Sequence, residues 1–292
     1  MGAGDAAPAP AHGFWRRQRW LILRRASQLG LLGLFLLGPW YGLWWVKGNL
    51  AASEWFELVP LADPYIALQS FAATHQLART TLIGVALVLG FYWLVGGRAY
   101  CSWVCPVNLI TDCAHWCREK LGIAPGWRPQ RALRLWLLGM SLVVSALSGG
   151  IAWELVNPVT MVQRALVFGL GAAWAIVLAV FLFDLLVSRR GWCGHLCPVG
   201  AFYGLIGRVS LLRVAADARE ACTDCGDCFV VCPEPQVITP ALRGKGADTR
   251  LVLSGDCTNC GRCMDVCPDD VFRFTLRPTY RGDARAASGE NA

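Results

Sequence analysis

Apolar residues in this chain come in long runs, and only beyond Gly207 does the sequence turn polar. Four runs, at 26–46, 80–97, 135–153 and 165–187, read as bilayer-spanning helices, which need about 20 predominantly apolar residues. The second run is short, and the third starts among arginines whose stems can snorkel to the interface. Trp40, Tyr41, Trp44, Trp45, Trp136 and Trp153 gather at the run ends, where amphipathic rings favour the membrane–water boundary. Buried helices of a soluble core are a poor alternative, because too few polar helices exist to cover them. The predicted fold is an α-helical membrane protein with four transmembrane helices, followed by a small polar domain.

Basic residues orient these spans. Arg16, Arg17, Arg19, Arg24 and Arg25 precede the first. Arg98, Arg118, Lys120, Arg128, Arg131 and Arg134 lie between the second and third, and Arg189 and Arg190 follow the fourth. The 47–79 loop has only Lys47 and Arg79 against Glu54, Glu57 and Asp63, and the loop after Trp153 has only Arg164. Both termini and the polar domain are therefore expected in the cytoplasm. The net charge of +7 is largely this topology signal and does not argue for nucleic acid. Composition agrees: 55% of residues are hydrophobic and 16% charged, well below the roughly 25% charged of soluble domains. The first run lacks a cleavage site and reads as an uncleaved anchor. The expected division is 1–25 (a cytoplasmic segment opening on a floppy tail, 1–12), 26–190 (membrane domain), 191–214 (membrane edge), 215–280 (soluble domain) and 281–292 (flexible tail).

The membrane part repeats itself. Leu61-Ala-Asp63-Pro64 and Leu155-Val-Asn157-Pro158 are each followed by a glutamine five residues beyond the proline, Gln69 and Gln163. Each copy leads through a span to a Cys-x3-Cys-Pro motif, Cys101/Cys105 and Cys193/Cys197. A parallel duplication of two-helix units explains both correspondences.

Fourteen cysteines supply the chemistry. Cys222-x2-Cys225-x2-Cys228-x3-Cys232-Pro and Cys257-x2-Cys260-x2-Cys263-x3-Cys267-Pro have the spacing of a bacterial two-cluster ferredoxin, in which the fourth cysteine of each run ligates the other cluster. Two 4Fe–4S clusters are expected, one on Cys222, Cys225, Cys228 and Cys267, the other on Cys257, Cys260, Cys263 and Cys232, within a small α+β domain. Disulfides are disfavoured on the cytoplasmic side, and zinc sites take paired ligands instead of closely spaced triplets. If the repeat packs symmetrically, Cys101, Cys105, Cys193 and Cys197 converge on a further metal centre or a redox-active dithiol pair; packing of small residues at a helix exit is the plainer alternative. Cys113 and Cys117 read as free thiols one helical turn apart.

At these residues the chain closely resembles the NapH family, the membrane ferredoxin-type subunits of periplasmic nitrate reductase systems. The resemblance runs over nearly the whole chain. It rests on both ferredoxin runs, on 101–108 (Cys-Ser-Trp-Val-Cys-Pro-Val-Asn) and on 191–200 (Gly-Trp-Cys-Gly-His-Leu-Cys-Pro-Val-Gly). The Gly38-Pro39-Trp40, Asp63-Pro64 and Asn157-Pro158 corners extend it, whereas Cys113 and Cys117 depart from the family pattern. It implies a quinol dehydrogenase subunit of the bacterial inner membrane. Such a subunit draws on the quinone pool and, with a periplasmic NapG-type iron–sulfur partner, supplies nitrate reductase.

Quinol oxidation needs an apolar slot and proton acceptors. Glu154, Asp63 and His75, with Glu57 further out, are candidate acceptors, and Gln69 and Gln163 candidate hydrogen-bonding partners; helix capping by Asp63 and Asn157 is the plainer reading of those two. Asp184 is expected to pair with Arg189 or another nearby base, and His195 sits where it would tune or protonate the adjacent thiolates, a stabilised helix-end histidine being the plainer alternative. The alternative function is an iron–sulfur accessory factor delivering cytoplasmic electrons during metalloenzyme assembly. The short tail after the second run, with no added interaction module, favours electron transfer.

Overall fold

The computed structural model describes residues 13–124, 126–127, 129–169, 171–244 and 249–278. The tails expected over 1–12 and 281–292 lie outside the described residues.

Helix α1 (Phe14–Tyr41) is 28 residues long, so the apolar run read as 26–46 forms only its second half. It ends early because Pro39 cannot donate within the last turn and Gly42 adopts the left-handed conformation (φ 73°), closing onto the Gly38 and Leu37 carbonyls. The chain then forms a three-stranded antiparallel sheet, β1 (Val46–Gly48), β2 (Ala52–Trp55) and β3 (Val59–Ala62), with Val46 opposite Trp55 and Ala52 opposite Ala62. Helices α2 (Pro64–Thr74), α3 (Arg79–Val95), α4 (Ala99–Trp103), α5 (Val107–Lys120) and α6 (Ala132–Ser148) follow. After a 3-10 turn come α7 (Pro158–Phe168) and α8 (Ala172–Leu182), a π turn over Phe183–Val187, a second over Trp192–Leu196, and α9 (Pro198–Gly207).

The run read as one span over 165–187 is thus divided. Residues 165–168 finish α7, and the chain breaks at Gly169 (φ 82°, ψ −157°), a conformation that suits glycine. Among the described residues, one helix, Trp15–Tyr41, is long and apolar enough to cross a membrane by length and composition; Arg79–Val95, Ala132–Ser148 and Ala173–Val187 are shorter apolar helices.

The repeat is visible in the packing. The Asp63 side chain accepts from Tyr65 N–H at 2.8 Å to start α2, and Asn157 accepts from Val159 N–H at 3.1 Å to start α7. Each copy then packs on the other: α2 against α6 and α7 against α1, α3 against α9 and α8 against α5.

Beyond α9, strand β4 (Leu212–Ala216) pairs antiparallel with β5 (Phe272–Leu276). Between them lie short helices α10 (Asp227–Val231), α11 (Ile238–Arg243) and α12 (Arg262–Val266). Val214, Ile238, Ala241, Val252 and Val271 form the core of this unit. It is fastened to the rest of the chain. Trp20 and Leu21 N–H donate to Asp265 at 3.3 and 3.2 Å, and the Trp20 ring occupies the space a Cβ on Gly261 (φ 73°) would need. The arginine-rich start of α1 is therefore ordered helix docked on α12.

Candidate metal centres

The two ferredoxin runs fold alike. Asp224 (φ 55°) and Gly226 (φ 82°) flank Cys225, and Asn259 (φ 47°) and Gly261 (φ 73°) flank Cys260. These paired left-handed turns curl each loop so that its first three cysteines face one point, and the fourth follows a five-residue helix. One cavity is lined by Cys222, Cys225, Cys228 and Cys267, the other by Cys232, Cys257, Cys260 and Cys263. Each run thus sends its fourth cysteine to the other's cavity. Backbone N–H groups of Asp224 and Val271 point at the Cys222 and Cys267 sulfurs, both at 3.4 Å, as thiolate ligands require. Among the described residues no group of three or more His, Cys, Asp or Glu is arranged to hold a single metal ion. Four thiols lining one small cavity suit a polynuclear cluster instead.

Cys101, Cys105, Cys193 and Cys197 also lie together, close enough for each to feel the others' charge. Burial pushes all four thiols up, Cys197 to about 12. Between this quartet and the Cys260 cavity lies a polar space lined by Arg24, Arg98, Asp112, Arg190, Glu234 and Arg262. Arg98, 2% exposed, pairs with Glu234 at 3.2 Å and donates to the Asp256 and Cys193 carbonyls at 3.0 and 3.1 Å. Asp112 takes Arg25 and Arg262, with Arg190 at 3.7 Å. Burial alone would raise the Cys260 thiol, but the Arg24 and Arg262 guanidinium groups outweigh it and hold it below the usual range.

Residues 77–124 and 170–215 each match a family described as a 4Fe-4S binding domain, and 221–271 match a 4Fe-4S dicluster domain. The methylamine utilization ferredoxin-type protein MauN of Methylorubrum extorquens is 56% identical over 95% of this chain and 96% of its own. MauN of Paracoccus denitrificans is 56% identical over 92% and 94%. The ferredoxin-type protein NapH of Haemophilus influenzae is 48% identical over 93% and 94%. The chain belongs to the MauN/NapH family of ferredoxin-type proteins. No solved structure matches it. The resemblance to NapH read from the motifs therefore holds, within a family whose MauN members are more similar still.

In this MauN/NapH-type chain the remaining sequence candidates scatter. Glu154 accepts from Asn157 at 3.2 Å and pairs with Arg164 at 3.4 Å. Gln69 is buried, accepting from Ser145 and Trp153 N–H at 3.2 and 3.1 Å, and Gln163 donates to the Gly48 carbonyl at 3.1 Å. His75 is exposed at the end of α2, and Glu57 is exposed and paired with Lys47. Asp184 does not meet Arg189: its carboxylate accepts from Trp192 N–H at 2.9 Å, holding the turn before Cys193, while Arg189 goes to Glu119 at 3.7 Å. Cys113 and Cys117 lie on α5 and line neither ferredoxin cavity. His195 lies in the π turn between Cys193 and Cys197.

Asp63 alone of these candidates lines a large cavity of about 720 Å³, whose walls come from α1, α3, the β1–β3 sheet and the loop holding Asn259. Its carboxyl caps α2, yet burial raises it to about 6 despite the backbone N–H groups it accepts from. This cavity had no signal in the sequence, because its walls come from segments as far apart as Trp20 and Phe274.

Proposed function

We propose that this chain is the membrane-bound iron–sulfur electron-transfer subunit of a quinol dehydrogenase. The observation that carries it is the pair of four-cysteine cavities with exchanged fourth ligands, bolted to a helical unit that ends in a third cysteine quartet. Cys222, Cys225, Cys228 and Cys267 would hold one 4Fe–4S cluster and Cys257, Cys260, Cys263 and Cys232 the other, and such clusters supply one-electron transfer.

Helices α1, α3, α6 and α8 with its π extension are proposed to span the bacterial inner membrane, both termini and the ferredoxin unit being cytoplasmic. In support, large apolar side chains along these helices face outward: Ile83, Leu87, Phe91, Trp136, Val143, Leu147 and Leu178 are all exposed. Helices α3 and α6, at 17 residues each, fall at the short end of the spanning range. With all cysteine quartets on the cytoplasmic side, delivery to a periplasmic acceptor across a hydrocarbon core of about 30 Å requires a partner. A periplasmic NapG-type iron–sulfur protein fits that need in a nitrate reductase system. The higher identity to MauN favours a second destination, the redox system of methylamine utilization.

Anaerobic addition of excess quinol to the purified full chain, followed by EPR, tests the central reading. Reduced-cluster signals are expected. Clusters that stay oxidised with quinol but reduce with dithionite would instead support the accessory role with a cytoplasmic donor. Deleting the gene and scoring growth on methylamine against growth with nitrate as acceptor separates the two destinations.

A further inference from the structure

The proposed quinol chemistry needs a site, and this inference rests on that reading. The geometry points to the 720 Å³ cavity between α1 and α3 as the binding site of an isoprenoid hydroquinone, with Asp63 accepting its protons.

Four observations converge. First, the shape suits a long apolar ligand that arrives from lipid. The lining follows α1 from Trp20 to Phe35 and α3 from Leu87 to Val95, about 22 and 12 Å of helix at 1.5 Å per residue. These two helices scarcely touch, and Leu87 and Phe91 at the gap are 47% and 55% exposed, so the cavity opens sideways on the apolar face. Secondly, the polar groups are few and concentrated. Asp63 is 7% exposed and lines the cavity together with Tyr203, and Tyr100 and Tyr92 stand beside Tyr203 with ring centres 4.8 and 5.0 Å away. An apolar pocket with a small number of convergent polar groups is how proteins hold small organic ligands.

Thirdly, the indole N–H groups of Trp20 and Trp55, both on residues lining the cavity, are buried and have no hydrogen-bond partner. Buried donors without acceptors are rare and costly, and a quinone oxygen satisfies such a donor. Fourthly, the wall continues to redox ligands. Tyr100 precedes Cys101, and Asn259, lying between Cys257 and Cys260, forms part of the lining. Glu154, another candidate acceptor, is engaged by Asn157 and Arg164 and does not line the cavity.

In the step, the hydroquinone loses two electrons and two protons and leaves as the quinone. Its two O–H bonds break, and the protons pass in turn to the Asp63 carboxylate and on to water at the β1–β3 side. The two electrons are taken up singly by the oxidised iron–sulfur clusters of the two ferredoxin quartets.

The test uses the full chain with its clusters in nanodiscs under anaerobic conditions, with decyl-ubiquinol as reductant and decyl-ubiquinone as binding probe. Quenching of tryptophan fluorescence reports binding, and bleaching of cluster absorbance reports reduction. Asp63→Asn keeps the helix cap, since asparagine caps as well as aspartate, and removes the base. It should slow cluster reduction by quinol about 100-fold, the scale of a lost general base, with quinone Kd within about threefold. Leu87→Trp, at the open edge where folding is undisturbed, should raise the quinone Kd about tenfold and leave dithionite reduction unchanged. If quinol reduces the wild type but both variants match it, the site assignment is overturned and quinol oxidation stands. If dithionite but not quinol reduces the wild type, quinol oxidation falls; the quinone Kd of Leu87→Trp then upholds or overturns the cavity by itself.

Discussion

Glu234→Gln is the sharpest probe of how the ferredoxin unit is held. Glu234, 3% exposed, follows the Cys232-Pro233 ligand pair and lies 3.2 Å from the Arg98 guanidinium, itself 2% exposed. It also lies 3.9 Å from Arg134 and 3.5 Å from Arg131 and accepts from Gln236 at 2.8 Å. Replacing the carboxylate leaves Arg98 and Arg134 sharing Asp256, 4.0 Å from Arg98. Removing one partner of a buried pair costs about 3–5 kcal/mol because the other charge is left uncompensated. Asp256 and the amide oxygen of the new glutamine recover part of this, and the half-exposed Arg131 adds little. The low end, about 3 kcal/mol, is therefore expected. At about 2–4 °C per kcal/mol for a chain of this size, the melting temperature should fall by about 6–12 °C. The assay is thermal loss of cluster absorbance in nanodiscs, with Glu220→Gln as a control, because Glu220 is 64% exposed and its pair with Arg250 is a surface one. A melt within about 2 °C of wild type for Glu234→Gln would refute the buried seam.

Exchange of the fourth ligand predicts that Cys267→Ser leaves the same residual EPR spectrum as Cys222→Ser, and Cys232→Ser the same as Cys257→Ser; the opposite pairing would show that each run holds its own cluster. Arg262→Gln removes a positive charge beside Cys260 and should lower the potential of that cluster, since the reduced cluster carries the extra negative charge. An unmoved midpoint in a potentiometric titration would count against it. The pH profile of cluster reduction by quinol should follow Asp63, whose buried carboxyl is raised to about 6. As pH falls below that value the base is protonated and the rate drops about tenfold per unit, and Asp63→Asn flattens the profile. Of the groups near it, Tyr203 stays protonated throughout, and Glu154 is held outside the cavity by Arg164. His115, lowered to about 4 by burial and by Arg190 and Arg189, stays neutral over this range.

What the sequence made legible was what repeats at short range. Cysteine spacing specifies a loop that must curl around one point, and the Asp-Pro and Asn-Pro corners specify helix starts, because cap and proline act within one turn. The β1–β3 sheet escaped because its strands are three or four residues long, too short for an alternating pattern to stand out, and its second turn uses left-handed Phe56 and Glu57 instead of glycine. The break at Gly169 was hidden because glycine within an apolar run carries no polarity signal. Arginines misled in another way. Arg24 and Arg98 count as topology charges in the sequence, yet they are 1% and 2% exposed and face cysteine motifs. Only the partners Asp112, Glu234 and Asp256, distant in sequence, make such burial possible.

Those partners also account for the divergence of the two halves. In the first copy, Ser102 and Trp103, which lie between Cys101 and Cys105, donate to the carbonyls of Thr258 and Asn259 at 2.7 and 3.0 Å. Thr258 and Asn259 are the residues between Cys257 and Cys260, and Asn259 in turn donates to the Val95 carbonyl at 3.0 Å. The spacer of one cysteine motif therefore holds the spacer of another, a direct tie between the two quartets beside the Arg98–Glu234 seam. In the second copy the corresponding spacer begins with Gly194, where an added Cβ would lie 3.2 Å from a Glu234 carboxylate oxygen. That space admits the Arg98–Glu234–Arg134 seam, and the Gly194 carbonyl accepts from Arg134 at 3.3 Å. A symmetric pair of spacers would offer two equal docking faces for one ferredoxin unit. Serine and tryptophan in one copy and glycine in the other leave a single face, and the unit seats there with Cys260 toward the Cys101–Cys193 side and Cys225 exposed to solvent.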